Sequence, residues 1–168
     1  MSRAIAVTVN NDTTPPLVSA ITASSVTAAG ATITWTTDEP SDSQVDAGPT
    51  TAYGSTTALN AALVTTHAVS LSGLSDGTLY HVRVRSRDAA GNLAVSGDAI
   101  VTTLDATPPV VSISAPATGT TISGTATLRA TATDNVGVVG VQFVVDGVTL
   151  GAEVTAAPYS APWVTPST

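Results

Sequence analysis

The sequence predicts an all-β protein made of tandem antiparallel β-sandwiches. Apolar and polar residues alternate with a period of two, as in the segment 31–37, where Ala31, Ile33 and Trp35 share one face. Glycine, proline, asparagine and aspartate separate these short runs, which is typical of strands joined by turns. Two similar segments, Asp12-Thr-Thr-Pro-Pro16 and Asp105-Ala-Thr-Pro-Pro109, each precede a β-rich run and predict semi-rigid junctions between modules.

Other segments alternate in the same way and predict further strands. One strand is expected to place Tyr80, Val82, Val84 and Ser86 on one face, with the opposite face made of His81, Arg83, Arg85 and Arg87. In the C-terminal part, a row facing inward is predicted for Leu128, Ala130 and Ala132. A second inward row, predicted to end at the hairpin turn Asp146-Gly147, consists of Val139, Val141, Phe143 and Val145.

The composition excludes several classes of protein. Of 168 residues only 10% are charged, the net charge is −7, and there is neither lysine nor cysteine. The shortage of cations argues against nucleic-acid binding and against adsorption to an anionic membrane. Without cysteine there are no disulfides and no zinc-thiolate sites. No apolar run approaches the roughly 20 residues of a membrane span, so membrane insertion is not expected.

The two junctions divide the chain into three parts. Residues 1–11 form an N-terminal β-arm, residues 12–104 a complete sandwich module, and residues 105–168 a shorter C-terminal module. The two Pro-Pro pairs are separated by about the length of one sandwich domain, which supports these boundaries.

The middle module resembles a fibronectin type III domain along its whole length. The resemblance rests on Trp35, on Leu71-Ser-Gly-Leu74, on Gly77-Thr-Leu-Tyr80 and on Asp88-Ala-Ala-Gly-Asn92. Trp35 should fill the core between the two sheets. Leu74 and Tyr80 should form the corner before the penultimate strand, with the tyrosine hydroxyl bonded to backbone.

The C-terminal part resembles a bacterial immunoglobulin-like repeat, with Phe143 in its core. The resemblance is carried by Val110-Val-Ser-Ile-Ser-Ala-Pro116, Ala132-Thr-Asp-Asn-Val-Gly-Val138 and Ala157-Pro-Tyr-Ser-Ala-Pro-Trp163. Such repeats usually continue with two more strands, so this module is expected to be incomplete. The segment 4–11 looks like the last strand of a preceding repeat.

The acidic residues predict a calcium site. In this fold, the junction, the loop between the second and third strands and the last hairpin loop converge, which brings together Asp12, Asp38, Glu39, Asp88 and Asn92. Ca²⁺ takes six to eight oxygen ligands, and such loops can supply them. The second junction repeats part of the set with Asp105, Asp134 and Asn135. The alternative is that these residues only cap turns.

No catalytic arrangement is predicted. The two histidines, His67 and His81, are both expected on solvated strand faces, and no nucleophile motif accompanies them. The arginines at 83, 85 and 87 either meet an acidic partner or sugar, pair with carboxylates on a neighbouring strand, or face water. Tyr53, Tyr159 and Trp163 are the remaining candidates for stacking on sugar rings, and the last two are expected in the core.

Two functions remain open from the sequence. The first is a non-catalytic structural or adhesive module of a secreted or cell-surface bacterial protein, with partners among neighbouring domains or other copies of itself. In this case the arm, with Ile5, Val7 and Val9 on one face, exchanges between copies and builds filaments. Alternatively the arm pairs within its own chain, or the chain is a fragment. The second function is an accessory carbohydrate-binding or spacer module of an extracellular glycan-degrading enzyme, with a polysaccharide as partner.

Overall fold

The computed structural model describes residues 12–165, and these contain strands and no helix. The all-β prediction is therefore confirmed for the described residues. They divide into two compact units, with the boundary between Asp105 and Ala106. No helix in this part of the chain is long and apolar enough to span a membrane.

The N-terminal unit contains seven strands. They are β1 (Val18–Ser24), β2 (Gly30–Gly48), β3 (Ser55–Thr56), β4 (Asn60–Ser72), β5 (Leu79–Arg87), β6 (Leu93–Val95) and β7 (Ala99–Thr102). The first half of β2 pairs with β1 and β4, and its second half pairs with β3 and β5. Strand β5 also pairs with β6 and β7. The long strand β2 thus belongs to both layers of the sandwich.

Strand β2 changes layer around Pro40. Its pairing with β4 shifts register between Thr36 and Ser41. Proline has no N–H to donate, so it fits where the ladder is interrupted. Asp38 and Glu39 therefore lie within this bend of β2, which corrects the prediction that they occupy a loop between two separate strands.

Apolar side chains from both layers form the core of the N-terminal unit. Trp35 is 1% exposed and packs with Ile33, Val45, Val82 and Val84. Leu74 and Tyr80 are half-buried and pack against this cluster. The backbone N–H of Ser75 donates to the Tyr80 hydroxyl at 2.9 Å, which ties the corner before β5 to the strand itself.

The C-terminal unit contains five strands. They are β8 (Val110–Ala115), β9 (Thr125–Thr133), β10 (Val141–Val145), β11 (Val148–Val154) and β12 (Tyr159–Val164). One sheet has the order β12-β9-β8, and the other is the hairpin β10-β11. Phe143, which is 3% exposed, packs with Ala130, Val141 and Tyr159 in a small core.

One predicted row in this unit is wrong at its first residue. Val139 is 86% exposed, whereas Val141 and Phe143 are buried. The reason is that β10 begins only at Val141, after a loop with Gly137 and Gly140. Alternation between an inward and an outward face holds only within a strand, so it does not apply to Val139, which precedes β10.

Candidate cation site and the polar groups around it

Three carboxylates meet at one end of the N-terminal unit. Asp12 precedes β1, Glu39 lies in the bend of β2, and Asp88 follows β5. One oxygen from each lies within 4.8 Å of the other two. We call these three residues the acidic cluster. Their convergence was predicted from the sequence and is confirmed, but whether they bind calcium stays a prediction.

The turn that follows β5 holds Asp88 in place. Its Oδ1 accepts the backbone N–H groups of Gly91 (2.7 Å) and Asn92 (2.8 Å), and its Oδ2 accepts from the Asn92 side-chain amide at 2.7 Å. Gly91 has φ +98°, a conformation that glycine adopts without strain. Although burial raises the pKa of Asp88, these hydrogen bonds outweigh it and hold the pKa below its ordinary value.

Glu39 is the electrostatically strained member of the acidic cluster. Burial raises its pKa, and the neighbouring charges of Asp12, Asp88 and Asp38 raise it further. A cation here would relieve this repulsion. The ligand set is not complete, however, because both oxygens of Asp88 already accept hydrogen bonds and Asn92 points its amide N–H₂ at the Asp12 carbonyl (3.3 Å) and at Asp88. Calcium would therefore need several waters to reach six or more ligands.

Two of the other predicted ligands, Asp38 and Asp134, accept hydrogen bonds from nearby backbone. Asp38 Oδ1 accepts the backbone N–H of Leu17 at 2.7 Å and so fixes the entry into β1. Asp105 belongs to the N-terminal unit, whereas Asp134 and Asn135 belong to the C-terminal unit. Asp134 Oδ1 accepts the N–H groups of Val136 and Gly137, both at 2.9 Å, which is a turn cap. Among residues 12–165, no group of three or more metal-binding side chains includes Asp134.

The prediction that His67 lies on a solvated face is wrong. His67 is 1% exposed, and its ring stacks on Trp35 with centroids 4.8 Å apart and planes 4° from parallel. Its Nδ1 lies 2.8 Å from Ser43 Oγ and its Nε2 lies 2.9 Å from Thr37 Oγ1. Because both nitrogens have hydroxyl partners and the ring has an aromatic neighbour, this interior position accommodates a polar residue.

Further hydroxyls extend this arrangement through the core. Trp35 Nε1 donates to Ser86 Oγ at 2.9 Å, and Ser41 Oγ donates to Thr37 Oγ1 at 3.1 Å. Burial lowers the pKa of His67, and the charge of Asp42 opposes this only in part. We call His67 and its partners Trp35, Thr37, Ser41, Ser43 and Ser86 the polar core. In the sequence, this polar core is indicated only by the serines and threonines among residues 36–43.

The second histidine and the arginine row lie on a partly exposed face. His81 Nδ1 contacts Asp98 Oδ2 at 2.8 Å. Arg83 Nε donates to Asp46 Oδ2 at 2.7 Å, and Arg85 Nη1 lies 3.7 Å from the same carboxylate. Burial raises the pKa of Asp46, but hydrogen bonds from Thr56 and Arg83 and the arginine charges hold it below its ordinary value. Of the three alternatives for the arginines, pairing with a carboxylate of the neighbouring strand holds for Arg83 and Arg85, whereas the Arg87 guanidinium donates to the Gly91 carbonyl at 3.1 Å.

The aromatic side chains offer little free surface for sugar stacking. The guanidinium of Arg83 lies over the Tyr53 ring, 4.5 Å from its centroid, and the Tyr53 hydroxyl donates to Asp98 at 3.2 Å. Tyr159 is buried and Trp163 is half-buried. The predicted exchange residues Ile5, Val7 and Val9 lie outside the described residues.

A face rich in hydroxyls covers one side of the N-terminal unit. Pairs of side chains bridge β1 and β2, with Ser19 Oγ 2.9 Å from Thr36 Oγ1 and Thr22 Oγ1 2.8 Å from Thr34 Oγ1. On the other side of β2, Thr32 Oγ1 lies 3.5 Å from Ser70 Oγ of β4. The polar residues point away from the core because Ile33 and Trp35 alternate with them. We call these six residues the hydroxyl face.

This chain is similar to segments of much longer proteins. Residues 109–168 match the family model for a bacterial Ig domain. Chitinase A1 of Niallia circulans is 32% identical over 152 residues, which is 86% of this chain and 21% of that protein. Exoglucanase B of Cellulomonas fimi is 39% identical over 111 residues, which is 64% of this chain and 10% of that protein.

The chain therefore spans about a fifth or less of the length of the curated relatives it matches. The fibronectin(III)-like modules of Clostridium thermocellum CbhA superpose with a TM-score of 0.38 at 21% identity, covering 88% of this chain and 80% of theirs. The strand pairing and the family match agree: the described residues form an all-β protein, and residues 109–168 match the bacterial Ig domain family.

Proposed function

We propose that this chain is a non-catalytic accessory module of an extracellular bacterial protein that degrades glycans, in which it spaces and positions other domains. The observation that carries the proposal is the alignment with Chitinase A1, which spans most of this chain but only 21% of that protein. A similar segment also forms 10% of Exoglucanase B. Two enzymes whose names indicate different substrates thus share it, which favours a role common to both rather than a particular chemistry.

The polar groups of the N-terminal unit support the absence of catalysis. His67 has hydroxyl neighbours, as a nucleophile–base pair would, but it and Ser43 are both 1% exposed and no substrate can reach them. His81 is paired with Asp98, and no hydroxyl nucleophile contacts it among the hydrogen bonds of the described residues. These groups stabilise the sandwich instead.

A chimera tests the spacer function. The segment of Chitinase A1 that aligns with this chain would be deleted, or replaced by residues 12–165 of this chain, and hydrolysis of insoluble chitin and of soluble chitin fragments would be measured. We expect deletion to lower activity on the insoluble substrate only, and the replacement to restore it. If the replacement fails to restore activity while folding normally, the spacer function is wrong.

Carbohydrate binding is a second candidate, and the hydroxyl face favours it. A sheet face with outward hydroxyls can donate hydrogen bonds to a polysaccharide surface and accept them from it. Retention on insoluble chitin or cellulose, lost in the double variant Thr22→Val/Thr34→Val and kept in Thr127→Val in the other unit, would support it. A wild-type chain that elutes freely from both materials would exclude it.

We also propose an adhesive, filament-forming role for the N-terminal arm. It requires that residues 1–11 bind another copy of the chain, and it is compatible with a place in an extracellular protein on the cell surface.

A further inference from the structure

An apolar groove opens along the C-terminal unit between β8 and β10. Its volume is about 320 Å³. The floor is formed by Leu128 and Ala130 of β9, and the walls are formed by residues of the two flanking strands, Val111, Ile113, Val141, Phe143 and Val144. The groove therefore lies over the small core of this unit, and its lining is mostly apolar, with Ser112 and Gln142 as the polar members.

Both strands beside the groove have a free edge. Within residues 12–165, β10 pairs only with β11 and β8 pairs only with β9. A free strand edge presents unpaired N–H and C=O groups, which another strand can bind. The aliphatic residues beside it are open to solvent as well, with Val111 59%, Ile113 62% and Val144 57% exposed. Unpaired backbone next to an exposed apolar surface is the combination that strand addition requires.

The N-terminal segment of the chain has the sequence of a strand that fits this groove. Residues 4–10 read Ala-Ile-Ala-Val-Thr-Val-Asn, so Ile5, Val7 and Val9 share one face of an extended strand. Seven residues extend about 23 Å at roughly 3.3 Å per residue. Strands β8 and β10, which flank the groove, contain six and five residues, so the segment is long enough to line either one.

Charge also favours this occupant. Residues 1–11 carry no acidic side chain and one cation, Arg3. The β10–β11 hairpin carries Asp146 at its turn and Glu153 near its open end, where the Glu153 carboxylate lies against Gly140 just before β10. Residues 4–10 carry no charge that these carboxylates would repel, and Arg3 beside them is attracted to the hairpin, whereas an acidic strand would be repelled.

We propose that residues 4–10 of one copy add as a β-strand to the free edge of β10 in a second copy, with Ile5, Val7 and Val9 facing the groove. Each added strand pairs its backbone with β10 and covers Ile113 and Val144. The donor and acceptor surfaces differ, so the contact is head-to-tail and grows into chains of copies unless it closes into a ring. This inference is independent of the proposed role in a glycan-degrading protein.

The mass of the full chain in solution, measured by light scattering from micromolar to millimolar concentration, tests the proposal. We expect a mass that rises with concentration to at least twice that of the monomer. Deleting residues 2–10, or substituting Val7→Asp, should leave a monomer at every concentration. Thr8→Asp is the matched control, because residue 8 faces away from the groove, and it should assemble like the wild type.

The acceptor side has its own matched pair. Ile113→Asp places a charge in the groove and should abolish assembly, whereas Val148→Asp alters an equally exposed residue that lies outside the groove and should not. Both residues are more than 60% exposed, so both variants should fold. A monomeric wild type at millimolar concentration overturns the proposal. So does assembly that survives the deletion of residues 2–10, or that Thr8→Asp and Val148→Asp disrupt as strongly as their partners.

Discussion

The two units of this chain differ in the size and the polarity of their cores. In the N-terminal unit the layers share the long strand β2, and Trp35 and Val84 are almost completely buried. That interior also contains a histidine whose two nitrogens are both hydrogen-bonded. The C-terminal unit has a smaller core around Phe143 and leaves Val111, Ile113 and Val144 exposed beside free strand edges.

This difference indicates different tasks. A sandwich with a large apolar core and a fully hydrogen-bonded polar core is expected to be rigid, which suits the proposed spacer role. A sandwich with an apolar groove beside free strand edges can bind an additional strand. The units should therefore differ in stability, in their response to pH and in association.

The largest expected effect is the loss of the Trp35 side chain. Trp35→Ala should destabilise the N-terminal unit by about 3–5 kcal/mol, because it leaves a cavity and removes the stacking partner of His67. Chemical unfolding followed by NMR signals of each unit measures this. The C-terminal signals should unfold at their wild-type midpoint. A nearly unchanged midpoint for the N-terminal unit would show that Trp35 does not fill its core.

Replacing the buried histidine is expected to rank second. His67→Phe keeps an aromatic ring against Trp35 but leaves Thr37 and Ser43 without their partner, so we expect a loss of about 1–3 kcal/mol. His81→Phe is the control on the partly exposed face, where an ion pair contributes at most about 1 kcal/mol. Equal effects of the two substitutions in urea unfolding would contradict the assigned role of the polar core.

The same histidine predicts how the N-terminal unit responds to acid. Burial lowers the pKa of His67 in the folded protein, whereas the unfolded chain has the ordinary value near 6.5. As the pH falls, the unfolded state therefore binds a proton at His67 before the folded state does. The contribution of neutral His67 to the free energy of unfolding is fully present above about pH 6.5 and is lost as the pH decreases below it. Asp46 and Asp88, with lowered pKa values, add losses only below their ordinary value of 3.8. Melting curves of wild type and His67→Phe between pH 7 and 5 should show this slope in the wild type alone.

The corner before β5 should contribute less. Tyr80→Phe removes the hydroxyl that accepts the Ser75 N–H and should destabilise the N-terminal unit by about 1 kcal/mol. The ring remains in place against the core, so the fold itself should not change. An unaltered melting temperature would mean that water replaces the hydroxyl at no loss.

The smallest expected effect lies at the acidic cluster. Because the folded state raises the pKa of Glu39, its ionised form opposes folding, and this opposition grows as the pH rises through the ordinary carboxyl value of 4.5. Glu39→Gln should therefore raise the melting temperature at pH 7 and not at pH 3, whereas Glu153→Gln should do neither. Millimolar Ca²⁺ should raise the wild-type melting temperature relative to chelator, and less so in Glu39→Gln. Identical melting temperatures with Ca²⁺ and with chelator would show that the acidic cluster does not bind calcium.

Much of this fold was predictable because strand periodicity is local. The inward faces around Trp35 and Phe143 follow from alternation alone, and the turn at Asp88 from its Asp-Ala-Ala-Gly-Asn sequence. The burial of His67 was not predictable in this way. It depends on hydroxyls from β2 and β5 and on the Trp35 ring, which are distant in sequence and meet only in the folded sandwich.

The candidate site shows the same limit. The convergence of Asp12, Glu39 and Asp88 was predicted from where loops meet in this kind of sandwich. What the sequence does not reveal is that the oxygens of Asp88 are already occupied by its own turn. An apolar groove and a free edge in the C-terminal unit follow from the expected incompleteness of that module, but local patterns do not show which strand carries the edge, because this depends on which strands pair with which.

Hydrogen exchange resolved along the chain tests the contrast between the units most directly. In dilute solution, amides of β2 and β5 around Trp35 and Val84 should exchange slowest, and those on the free edges of β8 and β10 should exchange orders of magnitude faster. As the concentration rises, the edge amides of β10 should become protected while those of β2 stay unchanged. Equal protection of both units in dilute solution, independent of concentration, would contradict this contrast between the two units.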